Sequence, residues 1–185
     1  MKQSSLRSIL TCLFAALISV GTLFIIPVGP VPLVLQNAFA VLSGLILGPI
    51  QGAGAVGLFL IAGALGLPVF SGGRGGYAVL AGPTGGYLAG YFIGALVSGY
   101  LSAKADNRPA KEAFPILLAA TLAGFAAIYV PGVLVLRSQL HLSLQEALTK
   151  GLLPFIPADL IKVAIVLPVA LKIKPLVRRY IAVND

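Results

Sequence analysis

An aspartate and a lysine lie three residues apart inside a long apolar run near the C-terminus. Asp159 and Lys162 interrupt residues 152–173, which otherwise have the length and composition of a membrane-spanning helix. Helical spacing of three places both groups on one face. A charge at the centre of such a helix costs roughly 2.5 kcal/mol or more, so it persists mainly where it is paired, lines a cavity or binds a solute. The pair is therefore either a buried ion pair that holds two helices together or the place where the function resides.

The composition predicts an integral membrane protein. Of the 185 residues, 58% are hydrophobic and only 10% are charged, whereas soluble domains carry about 25% charged residues. Six apolar stretches approach the roughly 20 residues that cross a bilayer. They are residues 8–26, 33–48, 51–67, 85–103, 114–136 and 152–173. The sequence therefore predicts an all-α fold, in which residues 1–185 form one transmembrane domain built as a six-helix bundle.

The basic residues predict the orientation of this bundle. With the N-terminus in the cytoplasm, nine lysines and arginines lie inside, three lie outside and Lys162 lies in the membrane. This bias fits the positive-inside rule and puts both termini in the cytoplasm of a multi-pass protein in the bacterial inner membrane. The residues expected inside are Lys2, Arg7, Lys104, Arg108, Lys111, Lys172, Lys174, Arg178 and Arg179, and those expected outside are Arg74, Arg137 and Lys150. The net charge of +8 forms no basic stripe with interleaved aromatic residues, which argues against nucleic-acid binding.

Small residues recur at every fourth position in the fourth span. The positions are Gly86, Gly90, Gly94 and Ser98, a spacing that lets helix backbones approach closely. We expect this stripe to pack inside the bundle. In the first span, Ala15 and Ser19 have the same spacing and are the candidate surface for a partner helix.

A glycine-rich segment separates the third and fourth spans. It runs through residues 66–77 and 82–87, with Arg74 as its only full charge. Non-helical backbone at membrane depth is tolerated only where protein or water covers it, so the segment is expected to fold over the external mouth of the bundle. It contains no Walker A motif, and ATP hydrolysis by this chain is therefore not expected.

The predicted topology brings polar residues from distant segments to the external end. Gln36 and Asn37 begin the second span there, Tyr87 begins the fourth, and the charged pair begins the sixth. Arg74 and Lys162 against Asp159 give a net charge of +1, which suits a small monoanion. Tyr87, Gln36 and the Phe70 region would add hydrogen bonds and apolar walls, as in most small-molecule sites.

Four segments in order make the chain similar to a known family. They are residues 30–36 (PVPLVLQ), 66–76 (GLPVFSGGRGG), 82–88 (GPTGGYL) and 154–162 (PFIPADLIK). These segments resemble the BioY family, the biotin-specific substrate-binding (S) subunits of energy-coupling factor (ECF) transporters. The resemblance implies that the chain binds biotin from outside as a transported substrate, with no separate cofactor. It also implies two kinds of partner, a transmembrane coupling (T) protein and a pair of ABC-type ATPases.

The resemblance also implies site residues. Asp159 and Lys162 would contact biotin. As a mechanism we expect the ureido N–H groups to donate to Asp159 and either Arg74 or Lys162 to hold the carboxylate. Family members dock through an Ala-x-x-x-Ala motif on the first helix, and Ser19 replaces the second alanine here. The remaining expected substrate contacts are Tyr87, Gln36, Gly73 and Phe70.

Two other functions are compatible with an intramembrane carboxylate. An ion-coupled secondary transporter of another small organic acid would use Asp159 to carry a proton or sodium ion. An intramembrane enzyme would need a nucleophile and a base, or a metal cluster, facing one cavity. The single Cys12 and the single His141 lie on opposite predicted sides of the membrane, so an enzyme is not predicted.

Overall fold

A computed structural model describes residues 3–183 and the side-chain burial of residues 5–180, so Lys2 lies outside the described part. The described chain is mainly helical. Its α-helices are α1 Gln3–Val20, α2 Gln36–Leu47, α3 Pro49–Ala64, α4 Tyr77–Leu80, α5 Gly85–Ser102, α6 Ala110–Gln139, α7 Leu144–Gly151 and α8 Ile156–Val183. A short antiparallel hairpin, β1 Ile25–Ile26 and β2 Leu33–Val34, connects α1 to α2.

One helix overlaps each of the six predicted spans, but these helices differ in their capacity to cross a membrane. Within the described residues, three helical stretches are long and apolar enough to do so: Ser5–Leu23, Ala110–Gln139 and Leu144–Tyr180. Helices α2 and α3 are apolar but have 12 and 16 residues, fewer than the roughly 20 that span a bilayer at right angles. Helix α5 has 18 residues, and its glycines, serines and tyrosines lower its hydropathy.

The hairpin and α7 were not predicted, so the purely α-helical prediction was incomplete. The first span was expected to reach residue 26 and the second to begin at residue 33. Instead Ile25 pairs with Val34 and Ile26 with Leu33. Two residues per strand are too few for the alternating pattern that reveals a strand in a sequence. Helix α7 begins with a capping box, in which the side chains of Ser143 and Glu146 each bond the backbone N–H of the other.

The boundary between α2 and α3 has a clear backbone cause. Gly48 has φ of +88°, a conformation that side-chain-bearing residues rarely adopt, and it ends α2. Pro49 then occupies the first turn of α3, where its missing N–H costs no helical hydrogen bond. The two short helices therefore turn sharply at one end of the bundle.

The small-residue stripe of α5 packs against α6, as predicted. A methyl group added at Gly86 or Gly90 would lie 2.2 or 2.5 Å from the carbonyl oxygens of Pro131 and Ile128, respectively. At Gly94 the nearest atom would be the carbonyl oxygen of Gly124, 2.8 Å away. Any larger residue would therefore push the two helices apart.

The helices place two sets of connections at opposite ends of the bundle. The hairpin end carries the β1–β2 hairpin, the glycine-rich segment, α7 and the start of α8. The opposite end carries the α2–α3 turn, the α5–α6 connection at residues 103–109 and the C-terminal part of α8. Buried aliphatic side chains such as Val41, Leu45 and Val56 fill the space between them.

Candidate binding site

The charged pair lies near the N-terminus of α8, at the hairpin end. Lys162 Nζ is 2.8 Å from Asp159 Oδ1, and the two residues are 6% and 7% exposed. Asp159 is in the first turn of the helix, where the macrodipole favours a negative charge. The pair is thus directed into the bundle and away from lipid.

Two further polar side chains complete this cluster. The amide of Asn37 on α2 donates to Asp159 Oδ1 over 3.1 Å and accepts from Lys162 Nζ over 2.9 Å. The hydroxyl of Tyr129 on α6 donates to Asp159 Oδ2. Side chains from three helices therefore meet around one carboxylate, and we call these four residues the polar cluster.

Asp159 and Lys162, half of the polar cluster, were predicted as site residues from the sequence. Asn37 was predicted to lie at this end without being assigned to the site, and Tyr129 was not predicted. The available signal for Tyr129 was a phenol hydroxyl inside an otherwise apolar span, because such a group usually finds a hydrogen-bond partner when buried.

Gln36 and Phe70 hold the glycine-rich segment in place. The fully buried Gln36 donates from Nε2 to the carbonyl oxygen of Val69 over 2.7 Å and accepts from the Ser71 hydroxyl over 3.3 Å. Phe70 is also fully buried and packs edge to face on Phe59, with ring centroids 5.4 Å apart. In this structure Gln36 and Phe70 therefore anchor the glycine-rich segment.

A tight turn presents Arg74 at the surface. The backbones of Phe70 and Arg74 exchange hydrogen bonds of 2.9 and 3.2 Å, and the turn between them needs positive φ at Gly72 and Gly73, +77° and +69°. This gives Gly73 a conformational role. Arg74 is exposed, its Nε donates to the Ser71 carbonyl oxygen, and it forms no salt bridge with a carboxylate in residues 5–180.

Tyr87 is linked to the polar cluster indirectly, because its ring packs on that of Tyr129. Its hydroxyl donates to the carbonyl oxygen of Gly151 over 2.8 Å, which ties α5 to the end of α7. The rings of Tyr87 and Tyr129 meet edge to face at 6.2 Å. Tyr87 therefore supports the tyrosine that holds Asp159.

The predicted cations line different cavities. Lys162 lines a cavity of about 330 Å³ whose other walls are residues 23–26 and 33–35, the hairpin and its flanks. Arg74, Phe70 and Tyr87 line a second cavity of about 20 Å³, room for roughly one water molecule. These polar residues were predicted to meet at one external site, whereas Lys162 and Arg74 line separate cavities in this structure.

The candidate docking surface on α1 is partly covered. Ala15 and Ser19 are half-buried, and the Ser19 hydroxyl donates to the Ala15 carbonyl oxygen over 2.9 Å. Cys12 on the same helix and His141, between α6 and α7, are exposed. Within the described residues, no three His, Cys, Asp or Glu side chains come together as metal ligands.

Comparison with known proteins identifies the family. The family model described as "BioY family" matches residues 1–179. The chain belongs to the BioY family. It is 44% identical to the biotin transporter BioY of Thermotoga maritima over 164 residues, 89% of this chain and 93% of the relative. It is 40% identical to the biotin transporter BioY of Rhizobium etli over 163 residues, 85% of this chain and 87% of the relative.

A solved structure supports the same assignment within the BioY family. It is a 2.1 Å crystal structure of the S-component for biotin from an ECF-type ABC transporter. The match has a TM-score of 0.82 and 31% identity, and it covers 92% of this chain and 91% of the solved chain. The resemblance inferred from four sequence segments is therefore confirmed over nearly the whole chain.

Proposed function

We propose that this chain is the biotin-binding S subunit of an ECF-type uptake transporter in the bacterial cell membrane. The observation that carries the proposal is the polar cluster, a buried carboxylate and ammonium group held by side chains from three helices in a BioY-family fold. Buried ionisable groups at membrane depth are costly, and a bound solute that contacts them offsets that cost.

The polar cluster has the right chemistry for the ureido ring of biotin. The ring presents two N–H donors beside one carbonyl acceptor. Asp159 offers carboxylate oxygens, and the Lys162 ammonium group 2.8 Å away offers donors. Because the two groups are adjacent, they can serve adjacent groups of one ring, and Asn37 can act as donor or acceptor beside them.

We infer that Arg74 binds the biotin carboxylate. Lys162 is occupied at the ureido end, whereas the Arg74 guanidinium group has no carboxylate partner in residues 5–180. The valerate chain of biotin separates its two polar ends, which fits two cations on different cavities. For one ligand to reach both, the hairpin or the glycine-rich segment must move so that the two cavities join.

Transport then requires other proteins. The chain crosses the membrane six times with both termini in the cytoplasm, captures biotin from outside and catalyses no reaction itself. It associates with a transmembrane coupling protein and a pair of ABC-type ATPases, which supply the energy because this chain has no Walker A motif. The α1 face at Ala15 and Ser19 is the proposed contact for the coupling protein.

Ligand analogues test the assignment of the two ends. Calorimetry would compare biotin with biotinamide, which lacks the negative charge, and with 2-iminobiotin, whose protonated ring should be repelled by Lys162. We expect the wild type to bind both analogues at least roughly tenfold more weakly, about 1.4 kcal/mol. Arg74→Gln should remove the preference over biotinamide only, and Lys162→Met should reduce the preference over 2-iminobiotin only.

Lys172→Ala is the matched control, because Lys172 is an exposed lysine on the same helix. It should leave all three affinities unchanged. If Arg74→Gln kept the full preference for biotin over biotinamide while Lys162→Met lost it, the two ends would be reversed. If no variant changed either preference, the proposed site would be wrong.

A further inference from the structure

The opposite end of the bundle contains a further cavity that the proposed function does not use. It has a volume of about 480 Å³ and lies between the α5–α6 connection, the start of α6 and the C-terminal part of α8, with Arg7 of α1 at its edge. This volume falls within the roughly 300–1,000 Å³ of typical ligand sites. We call it the basic cavity.

The charge of the basic cavity is strongly positive. Its walls carry five cations and one carboxylate, Asp106, a formal net charge of +4. The cations are Arg7, Arg108, Lys174, Arg178 and Arg179. Asp106 lies 3.0 Å from Lys174 Nζ and 2.8 Å from an Arg178 nitrogen, so one carboxylate serves two cations.

Two of the arginines have no carboxylate partner in the described chain. Arg108 forms an exposed pair with Glu112 at 3.6 Å, which contributes little in water. Arg7 and Arg179 are exposed and form no salt bridge within residues 5–180. The basic cavity therefore has positive charge available to an anionic ligand.

Part of the cavity wall is apolar. Ala113 and Leu117 of α6 and Leu171 and Pro175 of α8 form this part. A ligand that fills the cavity must therefore combine an anionic group with hydrocarbon. Four of the five cations are arginines, whose planar guanidinium groups bind phosphate oxygens in bidentate fashion.

The interior of the cavity is preorganised by Lys174. This lysine is 4% exposed, and its ammonium group donates to the Ser102 carbonyl oxygen over 2.7 Å and to the Ser102 hydroxyl over 3.0 Å. It is also close to Asp106 Oδ1, although that atom accepts no well-aligned hydrogen bond in the described chain. Lys174 thus fastens the α5–α6 connection to α8, while Arg7 and Arg179 remain at the rim.

The expected position of the basic cavity in the membrane favours a lipid as its ligand. The cavity lies at the start of α6 and near the end of α8, two stretches of membrane-crossing length. The charge bias puts this end at the cytoplasmic surface, where anionic lipids attract clustered basic residues. A neighbouring cavity of about 280 Å³ shares Arg7 and Arg178 and is lined in part by Leu10, Ile46 and Leu47, which extends the apolar surface.

We propose that the basic cavity binds the phosphate headgroup of an anionic phospholipid, with Arg7 and Arg179 contacting the phosphate and the apolar wall contacting the first part of an acyl chain. A bound lipid would hold the N-terminal part of α1 against the C-terminal part of α8. It would therefore stabilise the end of the bundle that is remote from the polar cluster.

Thermal unfolding of the full chain in detergent tests this proposal. Phosphatidylglycerol should raise the unfolding midpoint with increasing concentration, since a ligand that binds only the folded state stabilises it. Phosphatidylcholine and inorganic phosphate should give no comparable rise. The variant Arg7→Gln/Arg179→Gln should lose more than half of the phosphatidylglycerol shift.

A charge-matched control separates this site from general attraction. Arg137→Gln/Lys150→Gln removes two exposed positive charges near the hairpin end and should keep the full lipid shift. Biotin calorimetry on both variants checks that they are folded. If Arg7→Gln/Arg179→Gln fails to fold, Arg179→Gln alone replaces it and should lose part of the phosphatidylglycerol shift. The proposal would be overturned if phosphatidylcholine or inorganic phosphate raised the unfolding midpoint as much as phosphatidylglycerol does. It would also be overturned if the control variant lost as much of the phosphatidylglycerol shift as Arg7→Gln/Arg179→Gln. Absence of any lipid shift would also overturn it and would leave an acidic partner segment as the occupant to test.

Discussion

Helix α8 buries two lysines that are twelve residues apart, one near each end of the bundle. Lys162 is 6% exposed and Lys174 is 4% exposed, so burial does not distinguish them. Their partners do. Lys162 contacts two side chains, those of Asp159 and Asn37, whereas Lys174 contacts a backbone carbonyl, a hydroxyl and a partly exposed aspartate of the α5–α6 connection.

We propose that this difference separates a cation that can bind a ligand from one that has a structural role. Side chains from separate helices can rotate and exchange one partner for a ligand at little cost to the backbone. A backbone carbonyl cannot do so without moving the segment to which it belongs. Lys162 is therefore suited to exchange its partners with a solute, and Lys174 is suited to hold two segments together.

The largest effect that tests this comparison is expected from Asp159→Asn. The amide keeps the size of the carboxylate but loses its charge and half of its acceptor capacity. This would weaken the two proposed hydrogen bonds from the ureido N–H groups to Asp159, each worth about 1.5–3 kcal/mol. Biotin affinity should therefore fall at least roughly 100-fold. Calorimetry measures this change, and an unchanged dissociation constant in the folded variant would remove Asp159 from the site.

The second test exchanges the two lysines for methionine one at a time. Lys162→Met should reduce biotin affinity by roughly 10- to 100-fold, the equivalent of one hydrogen bond to a charged group. Lys174→Met should leave the affinity within about twofold and instead lower the unfolding midpoint, because the Ser102 carbonyl oxygen and Asp106 lose a buried partner. The opposite pattern, with affinity lost only in Lys174→Met, would refute the distinction between the two lysines.

A third and smaller effect is expected from the tyrosines. Tyr129→Phe removes the hydroxyl that donates to Asp159 and should weaken biotin binding about fivefold, near 1 kcal/mol. Tyr87→Phe is its control, because that hydroxyl donates to the Gly151 carbonyl oxygen. It should lower stability without a comparable change in affinity, and calorimetry together with thermal unfolding separates the two results.

The smallest effect is expected from Ser102→Ala. Lys174 would lose one of its acceptors but keep the Ser102 carbonyl oxygen and the nearby Asp106. The unfolding midpoint should therefore fall less than in Lys174→Met, with no change in biotin affinity. A fall as large as in Lys174→Met would show that the hydroxyl, and not the backbone contact, holds the connection.

Local rules explain what could be predicted from the sequence. The proximity of Asp159 and Lys162 follows from helical spacing, and packing of the α5 stripe inside the bundle follows from small residues at every fourth position. The α2–α3 turn coincides with the break between the predicted spans 33–48 and 51–67, where a glycine precedes a proline. Each of these features depends on residues within a few positions of one another.

Features that depend on the relative placement of distant helices could not be predicted. Asn37 lies 122 residues from Asp159, and Tyr129 lies 30 residues from it. Whether their side chains meet depends on how each helix is rotated and shifted along its axis, and hydropathy does not encode this. The separate cavities at Lys162 and Arg74 depend in the same way on how the hairpin and the glycine-rich segment fold back over the helices.

The contact between α5 and α6 has a consequence for how the molecule can move. At Gly86 and Gly90 the backbone of one helix lies against the carbonyl oxygens of the other, and at Gly90 the three nearest atoms all belong to the backbone of Ile128. Sliding or rolling of one helix on the other would bring main-chain atoms into collision, so the two helices behave as a single rigid body. We therefore expect a solute to enter by displacement of the hairpin or the glycine-rich segment and not by movement between α5 and α6, so that the opening rate of these segments would set the rate of entry.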